Sequence, residues 1–154
     1  PRVDYELTDR ARELAPVLGE LARWGYEWAW GPPLGSERVD IGAIFRLIPG
    51  LLSEGLPRTG TLELTVSDGR EGQPVSYRVN LARGQATISE GAGNRTDAQM
   101  QGTTSDWVQA LSPSADRSSL RLSGDRELGH ALLDALNDTR TARAQAGPAS
   151  VRAV

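Results

Sequence analysis

Residues 96–111 read TDAQMQGTTSDWVQAL, and the period of their apolar positions changes halfway along. Ala98 and Met100 alternate with Asp97, Gln99 and Gln101, which predicts a short strand with one buried face. Thr103 and Asp106 then stand at the three-residue spacing of a capping box, in which side chain and backbone at a helix start satisfy each other's amides. Trp107, Val108 and Leu111 follow at helical spacing, so the spacing predicts a helix that buries this face. A strand running into a capped helix points to a mixed α+β fold.

The flanking sequence extends both patterns. Upstream, TLELTV (61–66) alternates Leu62, Leu64 and Val66. After the Ser67-Asp68-Gly69 turn, VSYRVNL (75–81) alternates Val75, Tyr77, Val79 and Leu81. RGQATIS (83–89) supplies a third strand behind the Arg83-Gly84 turn, and with residues 96–102 as the fourth this half reads as a meander. Downstream, LRLSG (120–124) returns as a strand, and Asp125 caps a last helix with an apolar stripe of Leu128, Leu132, Leu133 and Leu136. Ahead of the strands, Ser36 is expected to cap a helix carrying Ile41, Ile44, Phe45, Ile48 and Leu52, which Pro49 and Gly50 kink or end. Beyond Asn137, residues 138–154 have no periodicity and are expected to form a flexible tail.

The front of the chain is a separate unit. Val3, Tyr5 and Leu7 alternate with Arg2, Asp4 and Glu6 as a strand, and Thr8 can cap the helix that follows, with Asp9 near the positive end of its dipole. The apolar stripe of that helix is Ala11, Leu14, Leu18, Leu21, Gly25 and Trp28, widened by Val17 and Trp24, and Pro16 is expected to bend it. A lone helix of about twenty residues is marginal in water, so this face requires a partner, either residues 36–137 of the same chain or a second copy. GPPLG (31–35) breaks the pattern, since its prolines lack donors and push the preceding residue out of helical conformation; a domain boundary is expected there. No Met precedes Pro1, and further residues are expected upstream.

Composition excludes several classes of function. The net charge is −3 and the pI 5.2, so the chain lacks the basic footprint of a self-sufficient nucleic-acid binder. All 17 basic residues are Arg, and a chain without Lys cannot form a G-x-x-x-x-G-K-[ST] phosphate loop. The absence of Cys removes disulfides, thiolate metal sites and a Cys nucleophile. His130, the sole histidine, lies inside the last helix, and no G-x-S-x-G stretch provides a serine elbow. GAGNRT (91–96) lacks the third glycine of a dinucleotide fingerprint and reads as a turn. Neither metal nor cofactor is implied, no catalytic set is legible, and a non-enzymatic protein is expected. No apolar run of 18 residues exists to span a membrane, which makes the cytoplasm the expected location.

Two resemblances follow from these residues. RVDYELTDRARELAPVLGELARWG (2–25) resembles the end of an HxlR-family winged-helix regulator: second wing strand, Y-x-L-T entry, R-x-L-x-P-V-L helix and closing W-G. That resemblance implies a helix-turn-helix upstream that binds DNA, and a homodimer formed through the terminal helix by Leu14, Val17, Leu18, Leu21 and Trp24, with Trp28 on the same stripe. Residues 36–137 are similar to sterol-carrier-protein domains, in the strand-to-helix passage of residues 96–111 and in LRLSGD (120–125). This implies a largely antiparallel sheet covered by helices, with an apolar cavity for lipid-like ligands. Phe45, Ile48, Leu64, Val79, Ile88, Met100, Trp107 and Leu133 lie on the apolar side of their elements and are the candidate lining.

The expected organisation is therefore a wing strand and dimerisation helix (1–30), a linker (31–35), a sterol-carrier-like α/β domain (36–137) and a tail (138–154). The expected function is the C-terminal portion of a DNA-binding regulator that senses an apolar small molecule. A carrier module without a regulatory role, or a non-catalytic accessory domain of an enzyme, is the alternative.

Overall fold

The computed structural model describes residues 8–14, 17–21, 24–25, 33–34, 37–52, 56, 58–93, 95–112 and 115–141. The expected front strand (Val3, Tyr5, Leu7), most of GPPLG and the end of the tail lie outside them. Thr8 caps α1 (Asp9–Arg12) through its side chain, which accepts from the amide of Ala11. A second helical run, α2 (17–21), follows it.

The next helix begins later than the sequence suggests. Asp40, not Ser36, is the N-cap of α3 (Ile41–Arg46), its carboxylate accepting from Ala43 N. Both residue types cap well, but residues 37–40 are not helical, so the helix starts where the apolar spacing itself starts. Pro49 acts as expected but earlier. The helix breaks at Leu47 and resumes as α4 (Ile48–Leu51) with the proline in its first turn, where a missing N–H costs nothing.

Five strands form one sheet: β1 (Gly60–Val66), β2 (Val75–Ala82), β3 (Gln85–Glu90), β4 (Ala98–Gly102) and β5 (Arg121–Gly124). Their order is β3-β2-β1-β4-β5. The first three strands form antiparallel hairpins, and the β2–β3 turn places Arg83 at φ 51° and Gly84 at φ 74° between the paired Ala82 and Gln85, the positive-φ geometry that matches strand twist. The meander expected through residue 102 stops there. The chain crosses from the edge strand β3 to the free side of β1, and β4 pairs with β1 in parallel, Leu64 opposite Met100. Asp97 sets this register, its carboxylate accepting from Thr61 N at 2.8 Å and its own amide donating to Thr61 O at 2.8 Å.

Alternation then decides the layers. Leu62, Leu64, Val66, Tyr77, Val79, Leu81, Ala98 and Met100 are all buried on one face, and α3 to α6 pack there. α5 (Thr104–Ala110) opens with both arms of the Thr103–Asp106 capping box. α6 (Arg126–Thr141) buries Leu128, Leu132, Leu133 and Leu136, with Asp125 accepting from Leu128 N at 3.0 Å; it continues past Asn137, where the sequence reading ends it. The opposite sheet face carries Glu63, Thr65, Ser76, Arg78, Gln99 and Gln101, half-buried or exposed, as is usual for a sheet solvated on one side.

Gly124 joins β5 to α6 at φ 74°, and a Cβ there would run into the carbonyl oxygen of Asp97, beside the 2.7 Å bond from Asp125 N to that oxygen. Left-handed backbone and close approach both require glycine. Gly124→Ala is expected to lower unfolding free energy by at least about 1 kcal/mol, measured as a shifted urea midpoint.

Candidate functional site

Between the sheet and its helices lies an apolar layer that contains every residue expected to line a cavity. Phe45, Ile48, Leu64, Val79, Met100, Trp107 and Leu133 are at most 1% exposed, and Ile88 is partly buried against the same cluster. Phe45 stands at its centre. Its ring meets Trp107 edge-on at 4.8 Å and Tyr77 at 5.4 Å, arrangements favoured by the aromatic quadrupole. Trp107 also donates its indole N–H to Thr65 O at 2.9 Å, so its one polar atom is satisfied inside the layer. The layer is thus brought together from α3, α4, β1, β2, β3, β4, α5 and α6.

A polar cluster not anticipated from the sequence closes one side of the layer. Arg46, at the end of α3, lies over the Tyr77 ring with its guanidinium carbon 5.5 Å from the centroid, a cation–π distance. The same guanidinium bonds Glu90 on β3 at 2.6 Å, and Arg70 approaches Glu90 at 3.4 Å. Burial raises the Tyr77 phenol above its ordinary 10.0, Arg46 opposes that rise, and Glu90 and Asp40 add to it; the hydroxyl stays protonated at neutral pH. Gly42 gives this hydroxyl room, since a Cβ there would collide with it. The pattern showed Tyr77 only as an alternating apolar position. Its partners Arg46 and Glu90 come from α3 and β3 and are brought to it by tertiary packing.

On the open sheet face, Glu63, Thr65, Ser76, Gln101, Arg121 and Ser123 border a polar depression of about 460 Å³. Of the expected cavity residues only Met100 borders it. Its side chains are largely bonded to each other: Thr65 to Ser76 at 2.8 Å, and Glu63 to Ser76 and Gly93 N at 3.3 Å each. His130 is exposed on α6.

The third feature is the front helix. Leu14, Val17, Leu18, Leu21 and Trp24 are 51–60% exposed; Trp28 lies outside the described residues. Leu18 N bonds Leu14 O at 3.0 Å, which puts these two side chains one above the other on a helical face. The helix touches the domain with a different face. Gly19 is buried, and a Cβ on it would lie 2.8 Å from Gly50 C and 2.9 Å from Gly50 O. Among the described residues, the large side chains of the stripe stay more than half exposed.

No protein-family model matches the chain. A stretch of 27 residues is 52% identical to an uncharacterized HTH-type transcriptional regulator, YvaP, of Bacillus subtilis (strain 168), which is 18% of this chain and 25% of that one. The match thus spans about a quarter of the regulator's length. Among solved structures, the sterol carrier protein domain 2 of Helicoverpa armigera aligns with a TM-score of 0.52 at 14% identity, over 72% of this chain and 96% of that one. Palmitated SCP2L2 from Aedes aegypti aligns at 0.50 and 17%, over 64% and 95%. The sec-alkylsulfatase Pisa1 from Pseudomonas sp. aligns at 0.50 and 18%, over 61% of this chain but 16% of the enzyme. The fold is therefore sterol-carrier-like, a mixed α+β arrangement as expected from residues 96–111.

Proposed function

We propose that this chain is the C-terminal portion of an HxlR-type transcriptional regulator, in which the front helix joins two copies and the sterol-carrier-like domain senses an apolar, lipid-like molecule. One observation carries the reading: a sterol-carrier-like domain bears, at its front, a helix whose large apolar residues are more than half exposed. The short identity to an HTH-type regulator supports the link to transcription, and DNA is the partner of the segment expected upstream. Neither a catalytic group nor a cofactor enters this reading.

Magnitudes bear on the kind of dimer. A fully exposed large apolar side chain contributes roughly 1.5–3 kcal/mol when buried. Five such side chains per copy, already about half covered, contribute on the order of 10 kcal/mol across a pair. Association itself costs about 4–15 kcal/mol. The two are of similar size, so the dimer is expected to be concentration-dependent in this chain and strengthened by the DNA-binding part.

The sensing half rests on the apolar layer. Phe45, Ile48, Leu64, Val79, Ile88, Met100, Trp107 and Leu133 are the residues assigned to ligand contact, because they converge between the sheet and four helices. One solved neighbour of the same fold is described as palmitated, which favours a long-chain acyl ligand. A second reading, an accessory domain of a larger protein, is favoured by the alkylsulfatase, in which this fold is a minor part of the chain. In that case the stripe covers part of its own polypeptide and the isolated chain stays monomeric.

Two measurements test the proposal. In light scattering, the chain is expected to shift from monomer to dimer with rising concentration, and Leu18→Asp with Leu21→Asp to abolish the shift without lowering the thermal midpoint; a wild-type monomer at every concentration contradicts it. Leu64→Phe and Val79→Phe are each expected to weaken binding of a fluorescent fatty acid at least tenfold, at a stability cost of about 1–3 kcal/mol from overpacking. Unchanged binding would remove these residues from the site.

A further inference from the structure

We infer that the backbone contact between Gly19 and Gly50 is the joint through which occupancy of the apolar layer reaches the self-association stripe; this rests on the proposed sensing and dimer functions. Three observations converge on it. Gly19 meets Gly50 with no side chain between them, a built Cβ lying 2.8 Å from one backbone atom and 2.9 Å from another. Gly50 belongs to α4, the four-residue turn that also carries Ile48, 1% exposed, and Leu51, 5% exposed, into the core. α2, on the other side of the contact, carries Val17, Leu18 and Leu21, 51–60% exposed.

The mechanical consequence follows from α4 itself. A single turn lies far below the length at which a helix sustains itself, and this one is separated from α3 by the break at Leu47. Among the described residues, Leu51 N to Leu47 O and Leu52 N to Ile48 O, both 2.9 Å, close it. Its position is set by what packs on its two sides: the core through Ile48 and Leu51, and α2 through Gly50. A ligand that enters between the sheet and α4 has to displace Ile48, and Gly50, two residues on, moves with it. Because backbone meets backbone at Gly50, no flexible side chain absorbs the movement, and α2 must follow. The stripe then presents its leucines at a changed angle to its copy. A ligand that favours one such arrangement changes the dimer equilibrium, and by linkage the dimer changes ligand affinity by the same factor.

Glycine identity supplies the test and its control. Gly19→Ala inserts a methyl into the joint, whereas Gly25→Ala makes the same chemical change where nothing lies within 4 Å. Both replace glycine by alanine in a helical stretch. In the ligand-free 154-residue chain, hydrogen exchange at the amides of Leu51 and Leu52 is expected to quicken in Gly19→Ala and not in Gly25→Ala. Equal exchange in both variants would show that the contact does not hold α4, and overturns the inference whatever the protein binds. In wild type, a saturating fluorescent fatty acid is expected to change the dimer dissociation constant about fivefold or more. Gly19→Ala should still bind the fatty acid and still dimerise, with the factor reduced towards one. A wild-type factor preserved in Gly19→Ala overturns the joint alone. Absence of dimer or of fatty-acid binding in wild type overturns the underlying reading, and the joint's regulatory role with it.

Discussion

The hydrogen bond from the Trp107 indole to the Thr65 carbonyl, 2.9 Å long, ties the helical layer to the middle of the sheet. Its formation requires β4 to lie beside β1, because only then does the chain leaving Gly102 carry α5 back across the central strand. The Thr103–Asp106 capping box starts the helix at the one point from which Trp107 can turn downward. Phe45 packs edge-on against the indole, which brings α3 to the same height, and Tyr77 closes the aromatic group from β2. A net hydrogen bond contributes about 1 kcal/mol; the larger contribution of this one is to give the largest buried side chain of the core a single orientation around which the others pack.

That arrangement leaves the molecule with two unlike surfaces. The open sheet face is polar and internally hydrogen-bonded, so it needs nothing to cover it. The front helix is the reverse: its large apolar residues are more than half exposed, and its Gly19 lies close against Gly50 of the domain. Exposed apolar surface of this kind marks an interaction site in a stable protein. A helix that meets its own domain at a glycine and keeps its leucines more than half exposed is the feature from which the proposed association starts.

Much of the fold was legible because its signals are local. Alternation at Leu62, Leu64 and Val66, the capping box at Thr103, and the leucine spacing of α6 each depend on residues within one turn or one strand. The parallel placement of β4 was not legible as such, since alternation shows which face a strand buries and not which neighbour it pairs with. It is set instead by Asp97 bonding Thr61, a contact across 36 residues. Ser36 is a good cap on paper, but the helix starts at Ile41 behind Asp40. The apolar layer was readable as a list of core positions, seven of them fully buried and Ile88 partly so, but the Arg46–Tyr77–Glu90 cluster was not, because its members come from three elements. Gly19 was invisible for a different reason: within a helix a glycine reads as a cost until Gly50 is seen opposite it.

The central claim is that the outward stripe of the front helix meets the same stripe of a second copy. Because the chain contains no cysteine, one introduced thiol reports on its own environment. In an isologous pair the residues nearest the two-fold axis meet their own copies, so at least one of Leu14→Cys, Leu18→Cys and Leu21→Cys is expected to give a covalent dimer under mild oxidation, while Ser89→Cys, on the edge strand β3, stays monomeric. A set of three in which none cross-links faster than Ser89→Cys would contradict the account.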